Sequence, residues 1–107
     1  MNNNTIKGVW IDADSQTITP KEIKNELHGY YDLLKCSMIE RVAITGKVDM
    51  IIDEEGMFTQ DKGFNWGGYQ YYGSAFIVES NLETGDWVDL AEPEKFKDII
   101  EDRVSFW

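Results

Sequence analysis

Cysteine, histidine and proline are scarce here: the chain carries one, one and two of them. The lone Cys36 rules out an internal disulfide, and with His28 as the single imidazole no zinc site of the usual Cys and His kinds can be built. We therefore expect a reducing compartment, and neither a metal nor a cofactor. Long apolar runs are missing as well. A spanning helix needs about 18 or more apolar residues in succession, and no basic leader with an apolar stretch opens the chain. The expected location is cytoplasmic, with no membrane partner. Basic residues are also few: ten Lys and Arg stand against 20 Asp and Glu, a net charge of −10, and residues 79–107 hold nine of the acids against three bases. Such a surface repels nucleic acid and anionic membranes at long range and attracts basic partners, so direct nucleic-acid binding is not expected. A dinucleotide fingerprint, a phosphate loop and a Gly-x-Ser-x-Gly elbow are all absent.

What is present suits one domain. Apolar and aromatic residues make up 42% of 107 positions, enough for a single core without staples. We expect residues 1–107 to form one α+β domain, with residues 1–5, which contain an Asn run, frayed. Ile6 to Ile11 reads as a first strand ending in the turn residues Asp12 to Ser15, and Gln16 to Thr19 resumes a β-prone run. Thr19, Pro20 and Glu22 match a helix start. Ile23, Leu27, Tyr30, Tyr31 and Leu34 follow at helical spacing; a start as late as Lys24 would leave Lys21 to Ile23 extended. Gly29 inside that helix signals close packing or a kink. Ser37 to Thr45 and Val48 to Ile52 form a hairpin through Gly46 and Lys47, expected at the centre of the sheet. Asp53 to Gly56 closes it in a turn where Gly56 can take positive φ, and Met57 and Phe58 re-enter the apolar layer. Ser74 to Ser80 is a strand, Asp86 to Leu90 completes a last hairpin, and Pro93 opens a helix bearing Phe96, Ile99, Ile100 and Val104. The expected architecture is a mostly antiparallel sheet of five or six strands with two helices, in the order β-β-α-β-β-β-β-α. The second helix is expected on the same side of the sheet as the first, or on its edge. Trp107 either docks on the domain or meets a partner.

Three stretches carry a family resemblance: the Tyr-Tyr-x-Leu-Leu-x-Cys run at Tyr30 to Cys36, the Asp-Glu-Glu-Gly turn at Asp53 to Gly56, and the Gly-x-Ala-x-Ile-Val strand at Gly73 to Val78. With this spacing the chain resembles, from about Lys7 to Leu90, the domain of unknown function 3846 family, small proteins of bacteriophages, prophages and conjugative elements. The resemblance implies a genomic setting and a fold, and it transfers no catalytic residue.

The residues that could carry chemistry are weighed on spacing. Asp12 with Asp14, and Asp53 with Glu54 and Glu55, lack the ligand ladder of a calcium loop and read as turn residues. His28 and Cys36, eight residues apart on one helix, are separated by about 12 Å along its axis, too far for a thiol–imidazole pair. No catalytic residue is assigned. The aromatic and glycine-rich segment from Asp61 to Gly73 is the strangest in the chain. Read structurally, its rings fold back over the sheet or its second half is already strand; read functionally, it is a recognition surface, since rigid aromatics among adaptable glycines are what binding loops use.

The leading expectation is a small, acidic, non-enzymatic interaction module that binds a host or defence protein through a basic surface and inhibits it. Its expected partner-binding residues are Phe64, Trp66, Tyr69, Tyr71 and Tyr72 with the acids Glu79, Glu94 and Asp98. The alternative is a binder of a small nucleotide-like ligand, with the aromatic segment as its stacking wall, and an enzyme ranks third.

Overall fold

The computed structural model describes residues 4–107. Its elements are β1 (Thr5–Asp12), β2 (Thr17–Lys24), α1 (Leu27–Leu34), β3 (Ile39–Thr45), β4 (Val48–Asp53), α2 (Gly56–Thr59), β5 (Gly63–Trp66), β6 (Tyr69–Tyr72), β7 (Ala75–Ser80), β8 (Trp87–Val88), α3 (Pro93–Ile100) and β9 (Ser105–Phe106). The main sheet is antiparallel and six-stranded, in the order β2-β1-β7-β4-β3 with β8 added to β7; a second sheet runs β6-β5-β9. The α+β class and the mostly antiparallel sheet agree with expectation. The short helix α2 and the small second sheet are additions to it.

β7 explains the arrangement. All six of its residues are buried, which a strand achieves only when both faces of its sheet are covered, and an unbroken apolar run is the matching sequence pattern. Its register aligns Val9, Ile77, Met50 and Val42 in one row, and Trp10, Phe76, Ile51 and Arg41 in the next row on the opposite face. The first face packs beneath Ile100 and Phe96 of α3, Leu90, and the rings of Phe64, Trp66, Tyr71 and Phe106 from the second sheet. The other face packs under Tyr30 and Leu34 of α1 and under Trp87. The Tyr30 and Trp87 rings meet edge to face at 5.0 Å. Each fully buried side chain in these two layers contributes about 1.5–3 kcal/mol of transfer free energy. The two long helices therefore cover opposite faces of the sheet, not the same side or its edge as expected, because the chain needs both faces of β7 sealed.

Several local expectations change for physical reasons. Thr19, Pro20 and Glu22 do not start a helix; they continue β2, with Pro20 opposite Val9. An outermost strand tolerates Pro because its outward N–H has no ladder bond to lose. Lys21 to Ile23 are extended, as the alternative allowed, but Lys24 is still strand and α1 begins at Leu27, later than either expected start. Gly29 marks close packing: a Cβ there would collide with the Lys24 carbonyl. β4 is an interior strand, but its hairpin partner β3 is the sheet edge, and β7 takes the centre. Gly56 has no positive φ; a side chain is excluded because its Cβ would sit 2.6 Å from the Tyr72 carbonyl oxygen. The fraying expected for residues 1–5 lies, for residues 1–3, outside the described residues. The Asn4 carbonyl accepts a bond from Asn25 N–H, and Thr5 is already paired with Lys24.

Candidate functional site

The aromatic segment folds as the β5–β6 hairpin. Gly67 and Gly68 both adopt positive φ, 63° and 83°, the backbone that a two-residue hairpin turn demands and that favours glycine. Phe64 pairs with Tyr71 and Trp66 with Tyr69, so these four side chains share one face of the hairpin. That face is laid against the main core. Phe64 is 0% exposed and stacks on Tyr71 at 5.2 Å, so as a partner-binding residue it is corrected: it cannot touch a partner. Trp66 and Tyr71 are half-buried against the same core. Burial pushes the Tyr71 hydroxyl pKa up, with neighbouring Tyr69 adding to the rise. Tyr69 alone of the five is largely exposed, at 68%. Tyr72 points to the other side and meets Trp107 edge to face at 5.1 Å. Trp107 docks on the domain by exchanging backbone bonds with Gly63, while its own indole N–H is buried with no hydrogen-bond partner among the described residues.

The acids also divide. Glu79 is buried, accepts the Ala91 N–H at 2.8 Å and meets Lys47 Nζ at 3.4 Å, so it anchors the approach to α3 and is withdrawn from any partner surface. Asp49 accepts from the Trp87 indole and faces Arg41. Asp53 accepts from Glu55 N–H at 2.9 Å, Thr59 Oγ1 at 3.1 Å and Gln60 Nε2 at 3.2 Å. These three buried carboxylates project from interior strands, and each ties a peripheral segment to the sheet. Glu94 and Asp98 are exposed on α3 as expected, although Lys97 lies 3.8 Å from Asp98 and 3.2 Å from Glu101 and offsets part of their charge.

A groove of about 690 Å³ runs between the end of α1 and α2, lined among others by His28, Asp32, Cys36, Asp53, Glu55 and Thr59. His28 and Cys36 both line this groove, with no hydrogen bond between them among the described residues. Chemistry still opposes a thiol nucleophile. Burial pushes the Cys36 thiol up, the carboxylates of Asp53 and Glu55 push it further, and only the Met38 backbone bond opposes them; a nucleophilic thiol needs the reverse. His28 faces Asp32 at 3.6 Å. Among the described residues no group of three or more His, Cys, Asp or Glu is placed to hold a metal ion.

Beside this groove lies a feature the sequence reading placed wrongly. Met57 and Phe58 do not re-enter the apolar layer; they stand 65% and 87% exposed on α2. A single helical turn buries one side only, and here that side is Gly56, pressed on the Tyr72 backbone. The signal available in the sequence was Gly56 itself, a small residue where an apolar anchor would otherwise sit.

No helix is long and apolar enough to cross a membrane among the described residues. No curated protein and no solved structure matches the chain. A family model does match, over residues 6–101, from the first strand to just past α3, and the chain belongs to that family, the Domain of unknown function (DUF3846).

Proposed function

We propose that the protein is a small, acidic, non-enzymatic interaction module that binds another protein by a basic surface, and that, in the phage and mobile-element setting the resemblance implies, this partner is a host or defence protein which it occupies and inhibits. The observation that carries the reading is the Met57–Phe58 pair, largely presented to solvent on a helix that Asp53 pins with three hydrogen bonds. A phenyl ring left in water forgoes about 1.5–3 kcal/mol of burial, and a rigid apolar anchor is what a docking site supplies. The acidic turn beside it, Asp53 to Glu55, and the net charge of −10 favour a basic partner by steering and by complementarity. The surface of the reading thus shifts from the hairpin to α2, with Tyr69 as the remaining exposed ring of the hairpin. A nucleotide-stacking wall gains less support, because Phe64 and Tyr71 spend their faces on the core.

The test compares affinity capture from host lysate by the wild type and by Phe58→Ser. The expected result is a specific copurifying protein that Phe58→Ser loses while its thermal unfolding stays within about 0.5 kcal/mol of wild type. Capture unchanged in Phe58→Ser, Met57→Ser and the double variant refutes this surface.

A further inference from the structure

The two edges of the main sheet are not alike. At one edge β2 carries Pro20, Lys21 and Lys24, and both α1 and α3 pack against it; proline, lysines and a covering helix are the devices that stop a strand from pairing further. At the other edge β3 is seven residues long without proline, and among the described residues it pairs with β4 alone. Its outer row of N–H and C=O groups is open to a new strand. Ile39, Val42 and Ile44 are only half-buried. Regular register ends where Ile44 bulges out between Ala43 and Thr45, and there a pocket of about 200 Å³ opens between Ile44 and the rings of Trp66, Tyr69 and Tyr71. Arg41 is turned to Asp49 at 3.8 Å, whereas Glu40 is exposed and makes no ion pair among the described residues. The free charge on this edge is negative.

We propose that β3 is a strand-addition site for an extended segment of another protein, apolar at alternate positions and ending in Lys or Arg, that pairs antiparallel along Ile39 to Ala43. Main-chain bonds supply affinity in such additions and side-chain pockets supply specificity. Side chains of one face recur every second residue. One apolar side chain therefore enters the Trp66 and Tyr69 pocket, the next on that face covers Val42, and the basic residue two further on stands opposite Glu40. The pattern is apolar-x-apolar-x-basic. A second copy of this chain fits poorly. Two-fold pairing that continues the sheet puts the residue at the axis opposite itself, so centring on Glu40 or Arg41 opposes like charges, which is destabilising. Centring on Val42 sets Glu40 against Ile44, and centring on Ala43 straddles the bulge. The inference shares with the proposed function a basic protein partner and the exposed Tyr69 ring. It uses a different surface from Phe58, so the two fail separately.

The probe is a synthetic peptide, Thr-Phe-Thr-Val-Thr-Lys-Thr, titrated into isotope-labelled full-length protein and followed by amide shifts and hydrogen exchange. The expected result is saturable change confined to the amides of residues 39–43 and the Trp66 indole, slowed exchange in the same stretch, and roughly fivefold weaker binding by Glu40→Lys. Phe58→Ser should bind the peptide as wild type does. Four outcomes overturn the proposal: no saturable binding at millimolar peptide, perturbation elsewhere on the fold, equal binding of the peptide with Glu in place of Lys, or peptide-free self-association that protects the same β3 amides.

Discussion

The indole N–H of Trp87 donates to the carboxylate of Asp49 at 3.3 Å, joining β8 to an interior strand across the α1 face of the sheet. Asp49 is nearly inaccessible, and Arg41 reaches in from solvent toward the same Oδ2 that accepts the Trp87 N–H. Asp49→Ala should therefore cost about 1–3 kcal/mol, because the Trp87 N–H loses its acceptor in a semi-buried site. Urea unfolding measures the loss, and the Trp87 indole resonance should shift while those of residues in α3 stay in place.

Asp53 gives a more local outcome. Its carboxylate holds the whole of α2, so Asp53→Ala should release residues 55–60 before the rest of the fold opens. Amide exchange across that stretch should accelerate by about tenfold or more, in keeping with the ~1–3 kcal/mol lost when a partly buried donor is left without its acceptor, and Asp53→Asn should retain part of the protection through its remaining oxygen.

Phe64 and Tyr69 lie on the same face of one hairpin and should respond in opposite ways. Phe64→Ala empties a site in the core and should cost about 3–5 kcal/mol. Tyr69→Ala removes an exposed ring and should stay within about 0.5 kcal/mol of wild type. Equal losses in denaturant titration would contradict the hairpin's orientation.

The raised pKa of Cys36 predicts slow thiol chemistry. A raised value means less thiolate at any given pH, so alkylation at pH 8 should lag behind a free thiol and accelerate only as pH climbs beyond the ordinary thiol range of about 8.5. Glu55→Gln removes one of the carboxylates that raise it and should speed the reaction. The linkage runs the same way: the stability tied to the protonated thiol is complete below the unfolded pKa and is lost as pH rises through the folded one.

How far the sequence reveals this fold depends on whether a signal is local. The buried run Ala75 to Ser80 and the Pro93-initiated helix each announce themselves within one element, and both are where they are expected. Thr19, Pro20 and Glu22 suit a helix start and an edge strand equally well, and only pairing with β1 decides between them. Phe58 and Phe64 are the same residue type six positions apart, one nearly fully exposed and one sealed. What separates them is how α2 and the hairpin meet distant segments, and no spacing rule contains that. Glu79 likewise reads as one more surface acid until the Ala91 amide arrives beside it. Of the expected partner-binding set, the structure leaves Tyr69, Glu94 and Asp98 well exposed and Trp66, Tyr71 and Tyr72 half so.

The position of β7 has a consequence for synthesis. β1–β2 and β3–β4 are local hairpins, yet in the finished sheet β1 and β4 are neighbours only through β7, which follows β1 by more than sixty residues, as the pairing of Val9 with Ile77 shows. A growing chain therefore completes two hairpins whose inner edges wait, unpaired and apolar, for a strand the ribosome has yet to make. Long-range insertion of this kind is slow and leaves strand edges exposed meanwhile. Refolding should be limited by the arrival of Ala75 to Ser80, and fragments that stop short of it should aggregate through the edges it would have covered.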